Sequence, residues 1–161
     1  MNVFDAAMKM ELEGKAYYEQ LAAQTDLPGL QAIFRDLARD EQKHYEAFRA
    51  MKDNQPLPEL TGAGRLAEVK SLFRSLPKPG RALKSLKDSL SAYRHAMNIE
   101  AESRKFYEQA AGEEKDPQVR EALLTIAAEE QQHYDILDNV YQFANAPNQY
   151  LAGAEISNLQ E

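Results

Sequence analysis

A chain of 161 residues with 43% apolar and 28% charged content lies in the globular range and is long enough for one domain with a sizeable core. It contains no cysteine, which excludes disulfides, iron–sulfur clusters and rubredoxin-type iron held by four thiolates, so any metal must sit on Glu, Asp or His. The net charge of −7 is uneven: residues 1–64 carry 7 basic and 11 acidic groups, residues 65–94 carry 8 and 2, and residues 95–161 carry 4 and 13.

The basic middle segment lacks interleaved aromatics and any nucleic-acid motif, so it is expected to be a solvated crossover and not a nucleic-acid surface. The start, Met1-Asn2-Val3-Phe4-Asp5, has neither a basic nor an apolar leader region. No apolar run reaches the ~18 residues of a membrane span. A soluble cytoplasmic protein with no membrane contact is the expectation.

In chain order, the pattern predicts a first helix near 2–25 and a second near 28–52, together one hairpin. Residues 53–83 follow as a long connection holding Pro56, Pro58, Pro77 and Pro79. Within it Leu66, Val69, Leu72, Phe73 and Leu76 suggest a short amphipathic helix. Helices near 84–112 and 117–145 form a second hairpin, and 146–161 is a tail ending in Ile156 and Leu159. The second and fourth helices show 3-4 apolar spacing, at Leu30, Ile33, Phe34, Leu37, Phe48 and Met51, and at Val119, Leu123, Ile126, Leu137, Val140 and Ala144. Pro28 and Pro117 suit the first turn of these helices, and Asp116 suits an N-cap. The reading is an all-α, four-helix bundle occupying residues 1–161 as one domain.

The hairpins are copies of one another at an offset of 89 residues. Ala7–Thr25 and Ala96–Glu114 are identical at 8 of 19 positions, and Leu37–Phe48 and Ile126–Leu137 at 5 of 12. Two copies mean a duplicated hairpin and not a solenoid. The duplication repeats a chemical pattern. Glu41-Gln42-Lys43-His44 and Glu130-Gln131-Gln132-His133 each place a carboxylate and an imidazole three apart, on one helix face. Each follows, by 30 residues, a lone glutamate: Glu11 and Glu100. Glu41 and His44 continue the seam of Leu37 and Phe48, as Glu130 and His133 continue that of Ile126 and Leu137, so charged groups occupy core positions. That is costly without a compensating cation.

With turns near 26 and 115, all four glutamates lie 15 residues from a turn, roughly 22 Å along the helix at 1.5 Å per residue. Packed symmetrically, the six residues meet in one slab. Four carboxylates and two imidazoles are the set with which four-helix bundles hold two metal ions. Glu41 and Glu130 are expected to bridge, His44 and His133 to bind one ion each, and Glu11 and Glu100 to be terminal. The ions are expected to be iron, with manganese or zinc as alternatives. A ligating imidazole donates its other N–H to an acceptor, and in two-fold designed di-iron bundles the residue before the bridging glutamate reaches the opposite histidine, so Asp40 is expected against His133 and Glu129 against His44. Tyr18 and Tyr107 are expected to reach the glutamates of the facing helices. His95 reads as an ordinary surface or packing residue, and Glu13 and Glu102 as solvated.

The string Met8-Lys9-Met10-Glu11-Leu12-Glu13-Gly14-Lys15-Ala16-Tyr17-Tyr18, with Leu37-Ala38-Arg39-Asp40-Glu41-Gln42-Lys43-His44, resembles the rubrerythrin branch of the ferritin-like superfamily. The resemblance covers both hairpins and implies a ferritin-like bundle with a non-haem di-iron site that reduces hydrogen peroxide or dioxygen. A ferroxidase feeding iron storage or delivery, and a bundle with a structural metal pair, stay open as alternatives. Rubrerythrins carry an additional rubredoxin domain, for which this chain has no cysteines, so the resemblance implies a separate electron-donor protein. They also carry an additional glutamate one turn after the third-helix ligand, where this chain has Ser103, the repeat mate of Gly14. A homo-oligomer, such as a dimer, with hairpins open to exchange between chains, is the further expectation.

Overall fold

The computed structural model describes residues 2–60 and 88–160, with side chains to residue 145. Four helices carry the chain: α1 (Val3–Gln24), α2 (Pro28–Lys52), α3 (Leu90–Glu113) and α4 (Pro117–Gln160). There is no strand among the described residues, and the fold is an all-α ferritin-like bundle. The amphipathic segment expected within 61–83 falls outside the described residues.

Local chemistry sets the ends. Asn2 caps α1, its side-chain oxygen accepting from the backbone N–H groups of Phe4 at 2.7 Å and Asp5 at 3.0 Å. Pro28 opens α2 and Pro117 opens α4, where a missing N–H costs nothing. Before Pro117, the Asp116 side chain accepts from the N–H of Gln118 at 2.9 Å. Two ends differ from expectation. α3 is helical from Leu90, while 84–87 lie outside the described residues. α4 passes through Pro147 to Gln160, so the segment expected as a separate tail from 146 is helical. Pro147 removes one backbone donor, but the residues after it include the good helix formers Gln149, Leu151, Ala152, Ala154 and Glu155.

Within each hairpin α1 lies along α2 and α3 along α4, and the hairpins meet through α1–α3 and α2–α4. Two apolar clusters fill the interior. One gathers Tyr18, Leu37, Tyr93, Ala96 and Leu137 among others. The other gathers Ala7, Phe48, Tyr107 and Ile126 among others. Every helix therefore runs from one cluster to the other. α1 and α4 pass from the second to the first, and α2 and α3 from the first to the second. α2 and α3 are parallel, so the connection between them has to return the length of the bundle. Between the clusters lies a charged layer. No helix among the described residues is long and apolar enough to cross a membrane.

Candidate metal centre

The charged layer holds Glu11, Glu41, His44, Glu100, Glu130 and His133, each at most 3% exposed. One comes from α1, one from α3, and two each from α2 and α4. Three-residue spacing points Glu41 and His44 inward together, and Glu130 and His133 likewise. Their burial follows from their neighbours on the same seams, Leu37 and Phe48 or Ile126 and Leu137, all fully buried.

Donor atoms fall into two overlapping groups. Glu11, Glu41, His44 and Glu130 place one atom each within 4.8 Å of one another, and so do Glu41, Glu100, Glu130 and His133. Glu41 and Glu130 are common to both. His44 Nδ1 lies 3.0 Å from Glu130 Oε1 and 3.4 Å from Glu11 Oε2. His133 Nδ1 lies 2.9 Å from Glu41 Oε1 and 3.3 Å from Glu100 Oε1. Each imidazole thus aims Nδ1 at its own hairpin's lone glutamate and at the other hairpin's Glu-x-x-His glutamate. The two rings lie nearly parallel, 5.9 Å apart between centroids.

The outward nitrogens are held across the hairpin boundary. His133 Nε2 contacts Asp40 Oδ2 at 3.1 Å, and His44 Nε2 contacts Glu129 Oε2. The tyrosines cross as well: Tyr107 donates to Glu11 at 2.7 Å and Tyr18 donates to Glu100. The antiparallel course of α1 and α3 places a tyrosine seven residues after one glutamate beside the other glutamate. His95 is exposed and rests its ring against Tyr17, 5.3 Å between centroids. Glu13 and Glu102 are exposed.

Four buried carboxylates with two imidazoles are an electrostatic problem. Burial first, then the charges of Glu11 and Glu100, pushes the Glu41 carboxyl well above the usual carboxylate range. Burial also works against ionised Glu11, but His44, Glu41 and Tyr107 outweigh it and hold its pKa below the ordinary value. Burial likewise opposes charge on His44, yet Glu11, Glu129 and Glu41 lift its pKa to about 10. The phenols of Tyr18 and Tyr107 are raised far above their normal value by burial and by the neighbouring carboxylates. Without a cation, the cluster can relieve its repulsion only by taking up protons.

Protons do not satisfy it fully. Glu11 Oε2, Glu41 Oε1 and Glu100 Oε2 are buried without a well-directed hydrogen bond, the first two meeting an imidazole nitrogen only in an ion contact, a costly state for carboxylate oxygens. These atoms belong to three of the six residues that make up the two donor groups. Four negative charges match two divalent cations, and an oxygen and imidazole set suits iron, manganese or zinc. The residues fit a dinuclear metal pair.

One feature of the centre was not recognised from the sequence. Gly14, buried in α1 one turn after Glu11, faces Glu41 so closely that a Cβ there would lie 2.7 Å from Glu41 Oε2. A buried glycine in mid-helix is the signal that could have revealed it.

Comparison with known proteins agrees with this geometry. A family model, Rubrerythrin, matches residues 2–141 and so spans both hairpins. Neither the curated proteins nor the solved structures gave a match to this chain.

Proposed function

Since this chain belongs to the rubrerythrin family of ferritin-like di-iron proteins, we propose that it is a non-haem di-iron oxidoreductase acting on hydrogen peroxide or dioxygen. The observation that carries this is the pair of overlapping buried donor groups sharing Glu41 and Glu130, with carboxylate oxygens left without a well-directed hydrogen bond. Glu41 and Glu130 would bridge two iron ions, Glu11 with His44 would complete one position, and Glu100 with His133 the other. Bound there, two irons supply a pair of one-electron centres for reducing an oxidant.

The chain's own groups do the rest. Near-complete burial of the six residues excludes bulk water and strengthens every charge interaction at the centre. Asp40 and Glu129 orient His133 and His44 and fix Nε2 as the outward nitrogen. Tyr107 and Tyr18 hold Glu11 and Glu100 by their hydroxyls, and their raised pKa keeps those protons in place as donors. No cysteine among these 161 residues can hold a rubredoxin-type iron, so the electron donor proposed for re-reduction is a protein group outside them. A cytoplasmic homo-oligomer, such as a dimer, is the setting proposed for this chemistry.

A second reading, ferroxidase feeding iron storage or delivery, is favoured by Ser103, buried where the resemblance implies an additional glutamate. Anaerobic Fe(II) loading, an iron count, and stopped-flow oxidation by peroxide or dioxygen in separate runs decide between them. Two irons per chain oxidised much faster by peroxide is the expected result. Faster oxidation by dioxygen moves the assignment to ferroxidase. Fewer than one iron per chain overturns both.

A further inference from the structure

We infer that Gly14 is a positioning residue for Glu41: its missing side chain is the space into which the Glu41 carboxylate leans, so residue 14 governs how tightly the centre holds its metals. The inference rests on the dinuclear reading above and says which residue outside the donor set controls it.

The warrant is steric. A Cβ built on Gly14 would meet Glu41 Oε2 at 2.7 Å and Glu41 Cδ at 3.3 Å, with Cγ at 3.7 Å. Its three nearest neighbours are thus all atoms of one side chain. The first distance is far inside the ~3.5 Å of ordinary contact, so any larger residue forces the carboxylate to retreat by several tenths of an ångström. The atom that has to move ends a flexible side chain, so α1 and α2 themselves can stay where they are. A shift of that size is harmless to the fold and harmful to a metal centre, whose ligands must be held within ~0.5 Å.

Helix physics sharpens the case. Glycine inside a helix is normally a liability compared with alanine, and Gly14 sits near the middle of α1. Nothing in backbone geometry requires it, because no glycine among the described residues has positive φ. Gly112 in α3 is a natural control, for a Cβ there meets nothing within 4 Å. In the second repeat the position matching Gly14 is Ser103, which carries a Cβ. The missing side chain is therefore peculiar to the first repeat.

The test uses the full chain as wild type, Gly14→Ala and Gly112→Ala. Each is loaded anaerobically with Fe(II) and competed with a graded chelator, and its thermal midpoint is read in excess chelator. Wild type is expected to hold two metals. Gly14→Ala is expected to bind them at least tenfold more weakly, while its chelated midpoint equals or exceeds wild type by up to about 2–4 °C from helix propensity. Gly112→Ala is expected to gain a similar midpoint with affinity unchanged.

A lowered chelated midpoint in Gly14→Ala would make residue 14 a packing residue and overturn the inference. So would wild-type affinity in that variant. Two metals in wild type with either result removes only this inference; fewer than two in wild type removes the dinuclear reading as well. Glu41→Asp, whose carboxylate is withdrawn by one methylene, supplies the rescue. In that background Gly14→Ala is expected to weaken binding less than threefold, and an equal loss in both backgrounds would overturn the inference.

Discussion

The two hairpins carry the same Glu, Glu-x-x-His pattern at an 89-residue offset, yet they enclose it differently. In the first, Gly14 leaves room for a carboxylate; in the second, the matching position holds the buried Ser103, which carries a side chain. Asp40 from the first hairpin reaches His133, while the longer Glu129 from the second reaches His44. α2 ends at Lys52 after 25 residues, whereas α4 runs for 44. Each charged group at the centre has a charged mate in the other hairpin, whereas the groups around them match in some places, as Tyr18 and Tyr107 do, and differ in others, as Gly14 and Ser103 do. A bundle interior accepts exchanged side chains so long as volume and polarity are kept, whereas an unmatched charge among these groups would have no partner.

The sharpest way to break the equivalence is at the two shared glutamates. Glu41→Ala and Glu130→Ala each remove a donor from both groups, so each is expected to abolish dinuclear binding, read as metal per chain after gel filtration. Two metals retained by either variant would show that the hairpins contribute unequally.

Next come the apolar clusters on either side of the charged layer. Phe34→Ala in one and Phe48→Ala in the other both delete a fully buried ring. Each is expected to lose about 3–5 kcal/mol in urea unfolding of the chelated protein. A much smaller loss from one would mark that end of the bundle as loosely packed.

Asp40→Asn and Glu129→Gln test the crossed contacts. Each replaces a carboxylate acceptor behind an imidazole, and metal affinity is expected to fall about 10–100-fold in each. Unchanged affinity in both would remove the orienting role. Smallest of all, Glu13→Ala is expected to leave the metal count unchanged and to alter stability by less than about 0.5 kcal/mol. Glu13 is exposed, two residues from Glu11 and on another face of α1.

Much of this arrangement was legible beforehand for a physical reason. Carboxylates on a 3-4 apolar seam contradict the hydrophobic pattern, and a contradiction repeated at matched positions requires one explanation for both. The crossing of Asp40 to His133 and Glu129 to His44 was legible too, though only by analogy with two-fold designed di-iron bundles, where the residue before the Glu-x-x-His glutamate reaches the opposite histidine. Gly14 was not. Its role depends on the distance between α1 and α2 at one level, and a spacing pattern carries no distances. Nor was the course of α4 beyond 145, because Pro147 reads as a helix stop and only the folded chain shows it tolerated.

By itself the sequence determined four helices, their pairing into duplicated hairpins, and the six groups that share one level. Period, turn chemistry and chain length are local or additive quantities, and they suffice for that. Tertiary structure alone decided that Nδ1 of each histidine faces the centre, that Glu11, Glu41 and Glu100 keep oxygens without a well-directed hydrogen bond, and that Glu41 leans over Gly14. Those are matters of tenths of an ångström between helices, set by the packing of both apolar clusters at once.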